Sequence, residues 1–223
     1  MKKDDIKWVY NIAYSYPVTV DFSYDSISYI EKEKIEGDIV EMGVAQGAQI
    51  IAFKFGLMDL GVKRKIRAFD SFCGIPLAGP KDTQQPGIGD ITHDTSLSER
   101  ERLKTSGVTS HSLEDVKRNF TGLGADLDDV FFYEGWFQDT LIVAAREIEK
   151  ISILRLDGDL YESTWISMSY LYHKVSTGGL VIIDDWALEG CRRAIEDYFN
   201  MLGQQTPEML CIDGHGVHYF VKK

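Results

Sequence analysis

Five strand-sized apolar runs punctuate the chain: Ile39 to Met42, Ile66 to Phe69, Val130 to Tyr133, Ile151 to Leu156 and Leu180 to Ile183. Each is followed by an acidic residue or a glycine. Between them lie stretches with apolar residues at helical spacing. Gln49 to Leu60 carries Ile50, Ile51, Phe53, Leu57 and Met58 in this way, and Thr140 to Lys150 and Thr164 to Val175 read alike. Continuous apolar strands alternating with helices predict a mostly parallel sheet with helices on both faces, because a strand buried on both sides shows no polar face. Ser112 followed by Asp115, ahead of Val116 and Phe120, forms a capping box that opens another helix. Near the end, Met209 to Ile212 and Val217 to Val221 flank Asp213-Gly214-His215-Gly216, which predicts an antiparallel hairpin beside the parallel strands.

A chain of 223 residues is long enough for one sizeable core, so residues 1–223 are expected to form a single domain. Residues 1–36, in which Ser26 to Lys34 reads as helix, are expected to make a helical lid or an oligomer contact. Gly74 to Gly107 is rich in Gly, Pro, Asp, Thr and charge, and a loop of that length predicts a mobile lid over a site. The net charge of −11 repels polyanions, which argues against a nucleic-acid partner. Cys73, Cys191 and Cys211 have no metal-ligand spacing, and no apolar stretch follows the charged start, so a reduced, cytoplasmic setting is expected. The apolar runs are far too short to cross a bilayer.

In an open α/β sheet, ligands bind beyond the carboxyl ends of the strands. The first run leads into Glu41-Met42-Gly43-Val44-Ala45-Gln46-Gly47, whose two glycines allow a tight turn and close backbone approach to a ligand before a helix begins. The Gly-x-x-x-Gly spacing is not the Gly-x-Gly-x-x-Gly of dinucleotide folds, and a plain strand-to-helix turn would use the same glycines. The second run ends in Asp70-Ser71-Phe72, which places a carboxylate where it can accept both hydroxyls of a ribose. Glu41 and Asp70 jointly point to an adenosine ligand. The fourth and fifth runs deliver Asp157-Gly158-Asp159 and Asp184-Asp185. If those strands are parallel neighbours, four acids share a small volume, and their repulsion raises their pKa values unless a cation neutralises them. Carboxylate-only ligation favours a hard ion such as Mg²⁺ over zinc.

Five segments carry a family resemblance: Gly37-Asp38-Ile39-Val40-Glu41-Met42-Gly43; Asp70-Ser71-Phe72 with Gly74-Ile75-Pro76; Glu134-Gly135-Trp136-Phe137 with Asp139-Thr140-Leu141; Leu154 to Thr164 (LRLDGDLYEST); and Gly179 to Asp185 (GLVIIDD). They resemble the macrocin O-methyltransferase (TylF-type) family, from Gly37 to about Tyr198. The resemblance implies a Rossmann-like class I methyltransferase fold. Its seven-stranded, mostly parallel sheet would end in a C-terminal antiparallel hairpin and carry helices on both faces. It further implies methyl transfer from S-adenosyl-L-methionine, with Mg²⁺ or a similar divalent cation, to a hydroxyl of a deoxysugar in a natural product or glycoconjugate. By motif, Asp157, Asp184 and Asp185 would hold the metal. Glu41, Met42, Gly43, Gly47, Asp70, Ser71 and Phe72 would line the cofactor, with Glu134, Gly135 and Trp136 at its adenine end. Asp157 is the expected base, with His93 and His111, in or beside the lid, as competitors. The implied partner is a small hydroxylated acceptor, a sugar diol, with no nucleic acid and no membrane, and the protein is expected to be a homo-oligomer. A catechol or phenolic acceptor, or nucleoside binding without turnover, are the competing readings. The segment from Pro76 to Gly107 and the N-terminal segment match no motif of the family.

Overall fold

In a computed structural model of the chain, which describes residues 3–82 and 96–223, every predicted apolar run is a strand. These are β1 (Asp38–Met42), β2 (Ile66–Asp70), β3 (Val130–Glu134), β4 (Ile151–Leu156) and β5 (Val175–Ile183), joined by the short β6 (Leu210–Cys211) and by β7 (His218–Val221). They form one sheet in the order β3-β2-β1-β4-β5-β7-β6. The first five are parallel, and β7 runs antiparallel to both β5 and β6, so the expected hairpin closes one side of the sheet. A 3-10 helix over Lys3–Ile12 precedes α1 (Pro17–Lys32), α2 (Ala48–Leu60), α3 (Glu99–Arg102), α4 (Leu113–Gly122), α5 (Phe137–Ala144), α6 (Tyr161–Leu171) and α7 (Glu189–Met201).

Alternation along the strands divides the core in two. Ile39, Ala68 and Ile153 face a layer built from α1, α2 and α4 with Val20, Phe53 and Phe120. Their neighbours Val40, Phe69 and Leu154 face α5, α6 and α7 with Leu141, Met168 and Phe199. Burial of each such side chain is worth about 1.5–3 kcal/mol. The helix α2 is apolar on all sides because it is enclosed: the sheet lies on one face and α1 on the other. Gly56 makes that approach possible, since a Cβ there would sit 2.7 Å from Ile27 Cγ1 and 2.8 Å from the Tyr24 carbonyl.

The differences from expectation have local causes. The stretch predicted as helix from Thr164 to Val175 starts earlier, at Tyr161, and ends in a 3-10 turn over Tyr172–Lys174, while β5 begins at Val175. Polar residues and Gly178-Gly179 conceal the start of that strand, which carries a bulge: Ile151 pairs with Val175 but Ile153 with Leu180. Likewise α5 starts at Phe137 and gives way to a 3-10 turn over Ala145–Glu147.

The two arms of the expected lid are packed against the molecule. Pro76 and Thr105 form an antiparallel bridge. The backbone N–H of Ile75 donates to Val108 (3.0 Å), and that of Ser106 to Ile75 (2.8 Å). Arg102, buried, pairs with Glu162 of α6. Asp82, also buried, accepts from the N–H groups of Tyr161 (2.7 Å) and Gly79 (2.9 Å), which caps the start of α6. His93 and the middle of the lid, residues 83–95, lie outside the described residues. Among the described residues, no helix is long and apolar enough to cross a membrane.

Candidate active site

Strand order reverses direction between β1 and β4, and the cleft that opens beyond their carboxyl ends has a volume of about 320 Å³. Register places its chemistry. Glu41 of β1 lies directly beside Arg155 of β4, so the two side chains share one face of the sheet. Asp157 follows Arg155 by two residues and continues that face. The ladder runs on past the strands: Asp157 N–H donates to Met42 (2.8 Å) and Asp184 N–H to Leu156 (2.9 Å), which stitches the three strand ends together.

Arg155 is the centre of this arrangement, with 2% of its side chain exposed. Its Nη1 donates to Glu41 Oε1 (2.8 Å) and Asp157 Oδ2 (2.5 Å), and its Nη2 donates to Asp184 Oδ1. Burial opposes the charge of the guanidinium, but Asp184, Asp157 and Glu41 outweigh it and hold its pKa above the ordinary value. The second oxygen of Glu41, Oε2, is buried and has no hydrogen-bond partner among the described residues. Desolvation pushes Glu41 up to about 8 despite the attraction of Arg155. It likewise pushes Asp159 up to about 8, Asp184 up to about 7 and Asp185 well above the usual carboxylate range, with the neighbouring acids adding to the effect at each.

Asp157, Asp184 and Asp185 each bring one carboxylate oxygen to within 4.8 Å of the others. A divalent ion held at about 2.0–2.6 Å from each ligand sets opposite oxygens roughly 4–5 Å apart, so the spacing suits one hard cation. Arg155 engages one oxygen each of Asp157 and Asp184, and the N–H of Asp159 donates to Asp185 Oδ2 (2.9 Å), which leaves one oxygen on each acid turned to other use. The site therefore fits the expected metal in donor chemistry and in spacing.

The glycine-bearing loop has a more constrained shape than a plain turn. Gly43 and Gly47 adopt φ of 96° and 90°, and Ala45 between them is left-handed at 47°. Asp70 holds this shape, its Oδ2 accepting from the N–H groups of Val44 (2.7 Å) and Ala45 (3.1 Å) and its Oδ1 from that of Phe72 (2.7 Å). These three bonds hold Asp70 against the loop while it also lines the cleft, where the ribose was expected.

The cleft is lined by Glu41, Gly43, Asp70 and Ser71, with Gly135 and Trp136 at the β3 end. The other predicted cofactor residues do not line it. Met42 and Phe72 are core side chains, Gly47 caps α2, and Glu134 is exposed. The segment 1–36, expected to make a lid or an oligomer contact, contributes one wall of the cleft through residues the sequence did not single out: Ile12, Tyr14 and Ser15. Gln49 of α2 fixes that wall, donating through Nε2 to Ser15 Oγ (2.9 Å) while its Oε1 accepts from Ser23 (2.6 Å). Tyr14 in turn meets His111, its hydroxyl 2.7 Å from Nε2, so this histidine is tied to the rim. Arg155 was visible only as one letter of the LRLDGDLYEST run, and a charged residue inside an apolar strand was the signal to find it.

This sheet order, with a reversed β7 and an acid-rich cleft at the ends of β1 and β4, is that of the Rossmann-like class I methyltransferases. Within that class the chain belongs to the macrocin O-methyltransferase (TylF) family, whose model matches residues 21–222. It is 38% identical over 188 residues to 8-demethyl-8-(2,3-dimethoxy-alpha-L-rhamnosyl)-tetracenomycin-C 4'-O-methyltransferase of Streptomyces olivaceus, covering 83% of this chain and 66% of the relative. It is 35% identical over 192 residues to demethyldecarbamoylnovobiocin O-methyltransferase of Streptomyces niveus, with coverage of 83% and 66%. The chain thus spans about two thirds of the length of these relatives. Among solved structures, the O-methyltransferase NovP superposes with a TM-score of 0.74 at 31% identity, over 92% of this chain and 80% of that one. An O-methyltransferase from Bacillus cereus in complex with SAH shares the fold, with a TM-score of 0.59 at 13% identity, over 100% of this chain and 92% of that one.

Proposed function

We propose that the protein is an S-adenosylmethionine-dependent, metal-assisted O-methyltransferase acting on a hydroxyl of a sugar carried by a natural product. The observation that carries this reading is the convergence of Asp157, Asp184 and Asp185 beside the buried Glu41 at the switch point of the sheet. The names of the relatives, one for a rhamnosyl tetracenomycin, one for a novobiocin precursor and one for mycinamicin III, supply the acceptor class. When bound, S-adenosylmethionine supplies an activated methyl group, and a hard divalent cation lowers the pKa of an acceptor hydroxyl.

The chain itself supplies placement and a proton acceptor. Glu41 Oε2, buried and unpartnered, is an acceptor for a donor group of the nucleoside. Asp70 and the loop it shapes present the backbone of Val44 and Ala45 to the cleft. Asp157 lines the cleft with one oxygen held by Arg155; its other oxygen has two lone pairs, one that would face the cation and one to receive the hydroxyl proton of the acceptor. His111, the competing base, is held by Tyr14 at the rim and is not among the residues that line the cleft.

The test is isothermal titration with S-adenosylmethionine and S-adenosylhomocysteine, with and without Mg²⁺, followed by a methyl-transfer screen over glycosylated acceptors. Both nucleosides should bind, and transfer should vanish in Asp157→Asn while nucleoside binding survives. Failure of both nucleosides to bind refutes the reading; binding with no transfer to any glycosylated acceptor moves the protein to a nucleoside-binding role.

A further inference from the structure

Arg155 links two sides of the cleft. Through Nη1 it holds Glu41 and Asp157, and through Nη2 it holds Asp184. Glu41 belongs to the side of the cleft formed by the loop after β1, while Asp157 and Asp184 belong to the trio suited to a cation. All three carboxylates therefore draw on one guanidinium that is 2% exposed. The backbone fixes the geometry, because Glu41 and Arg155 are Cα partners across β1 and β4 and Asp157 N–H is bonded to Met42. Side chains held this rigidly cannot adjust independently.

Resting on the function proposed above, we infer that Arg155 is a positioning residue that couples the nucleoside and metal sites, so that occupancy of either strengthens the other. Whatever draws the carboxylates of Asp157 and Asp184 toward a cation loosens their share of the guanidinium. Those donors and that positive charge are then concentrated on Glu41 Oε1, and Glu41 is held in one orientation with Oε2 directed at the cleft. Linkage makes the effect reciprocal: a ligand engaging Glu41 Oε2 fixes Arg155 and thereby presets Asp157 and Asp184. Lysine keeps the charge, but its three donors radiate from one nitrogen, so it cannot hold Glu41 and Asp157 on one nitrogen and Asp184 on another as the planar fork does.

The experiment measures the dissociation constant of S-adenosylhomocysteine by titration calorimetry, with Mn²⁺ present and with EDTA, in the wild type and in Arg155→Lys. The ratio of the two constants is the coupling, and no methyl transfer is required to read it. In the wild type, Mn²⁺ is expected to tighten nucleoside binding by roughly tenfold, within the range usual for coupled sites. In Arg155→Lys the ratio is expected to fall to near one, even though the nucleoside still binds. Thermal melting checks that the variant folds; if it does not, Glu41→Gln, which is nearly isosteric, is read by the same ratio. A wild-type ratio of one, or an undiminished ratio in the folded variant, overturns the inference while leaving the proposed function intact. Absence of nucleoside binding in the wild type would instead refute the function itself.

Discussion

Replacing Gly43 by alanine tests whether β1 and β4 meet as closely as the site requires. A Cβ on Gly43 would lie 1.7 Å from the carbonyl oxygen of Asp157 and 2.7 Å from its carbonyl carbon. Since real Cβ contacts stay beyond 3.0 Å, the two strand ends must part by about 1.3 Å. The parting stretches the bond from Asp157 N–H to Met42 (2.8 Å), which ties β4 to β1. Overpacking of this kind costs about 1–3 kcal/mol, and an alanine at a left-handed φ adds about 1–2 kcal/mol. For a domain of this size the melting temperature falls by about 2–4 °C per kcal/mol, so a drop of roughly 5–15 °C is expected. The chemical effect is larger, because Asp157 moves with its carbonyl. A misplacement of about 1 Å at a reacting group costs on the order of a hundredfold in rate. Differential scanning calorimetry reads the first effect, and methyl transfer to an acceptor found in the screen reads the second. Gly61→Ala is the control: its φ is also positive, at 65°, but nothing lies within 4 Å of the added carbon, so only the backbone cost applies. A Gly43→Ala protein that melts within about 2 °C of the wild type and keeps its rate would refute the close approach and the placement of Asp157 built on it.

Asp82→Ala removes the acceptor of two buried N–H groups, those of Tyr161 and Gly79. At about 1.5–3 kcal/mol for a hydrogen bond to a charged group, a loss of about 3 kcal/mol and roughly 6–12 °C in melting temperature is expected, and an unshifted melt would show that the arm is not anchored there. Stability should also fall with pH when divalent ions are chelated. Glu41 at about 8, Asp159 at about 8 and Asp184 at about 7 bind protons more tightly folded than unfolded. Their contribution is complete below the ordinary carboxylate range and is lost as pH rises through 7 to 8. Urea midpoints at pH 5 and pH 8.5 in EDTA should therefore differ, and Mg²⁺ should restore the higher-pH value; equal midpoints in EDTA would contradict the desolvation of these acids.

The parallel sheet was legible because its strands are buried on both faces, so Ile39-Val40 and Ile153-Leu154 are apolar in succession and leave a continuous signal. The acids that follow the strands were legible for the same reason, since register then fixes where Asp157 and Asp184 emerge. The start of β5 was not, because a bulge carrying Gly178 and Gly179 has the composition of a loop. The N-terminal wall was hidden too: Ser15 and Gln49 meet across 34 positions through side-chain hydrogen bonds, which leave no period in the sequence. The electrostatics were half legible. Crowded acids implied a counter-charge, and a cation was the natural answer, but the fold already places Arg155 among them. The loop contacts of Asp70 were hidden for a similar reason, since they depend on how tightly the chain turns after β1.

The wall formed by Ile12, Tyr14 and Ser15 lies ahead of residue 21, where the family likeness begins. The sheet, the loop after β1 and the acid trio fall inside the stretch that the family model matches, whereas this side of the cleft is drawn from residues outside it. Swapping residues 1–20 between two relatives would exchange that wall while leaving every strand-end acid in place. The expected outcome is a changed acceptor preference, read by the same methyl-transfer screen, through a segment that contributes no strand to the sheet and no acid to the cluster.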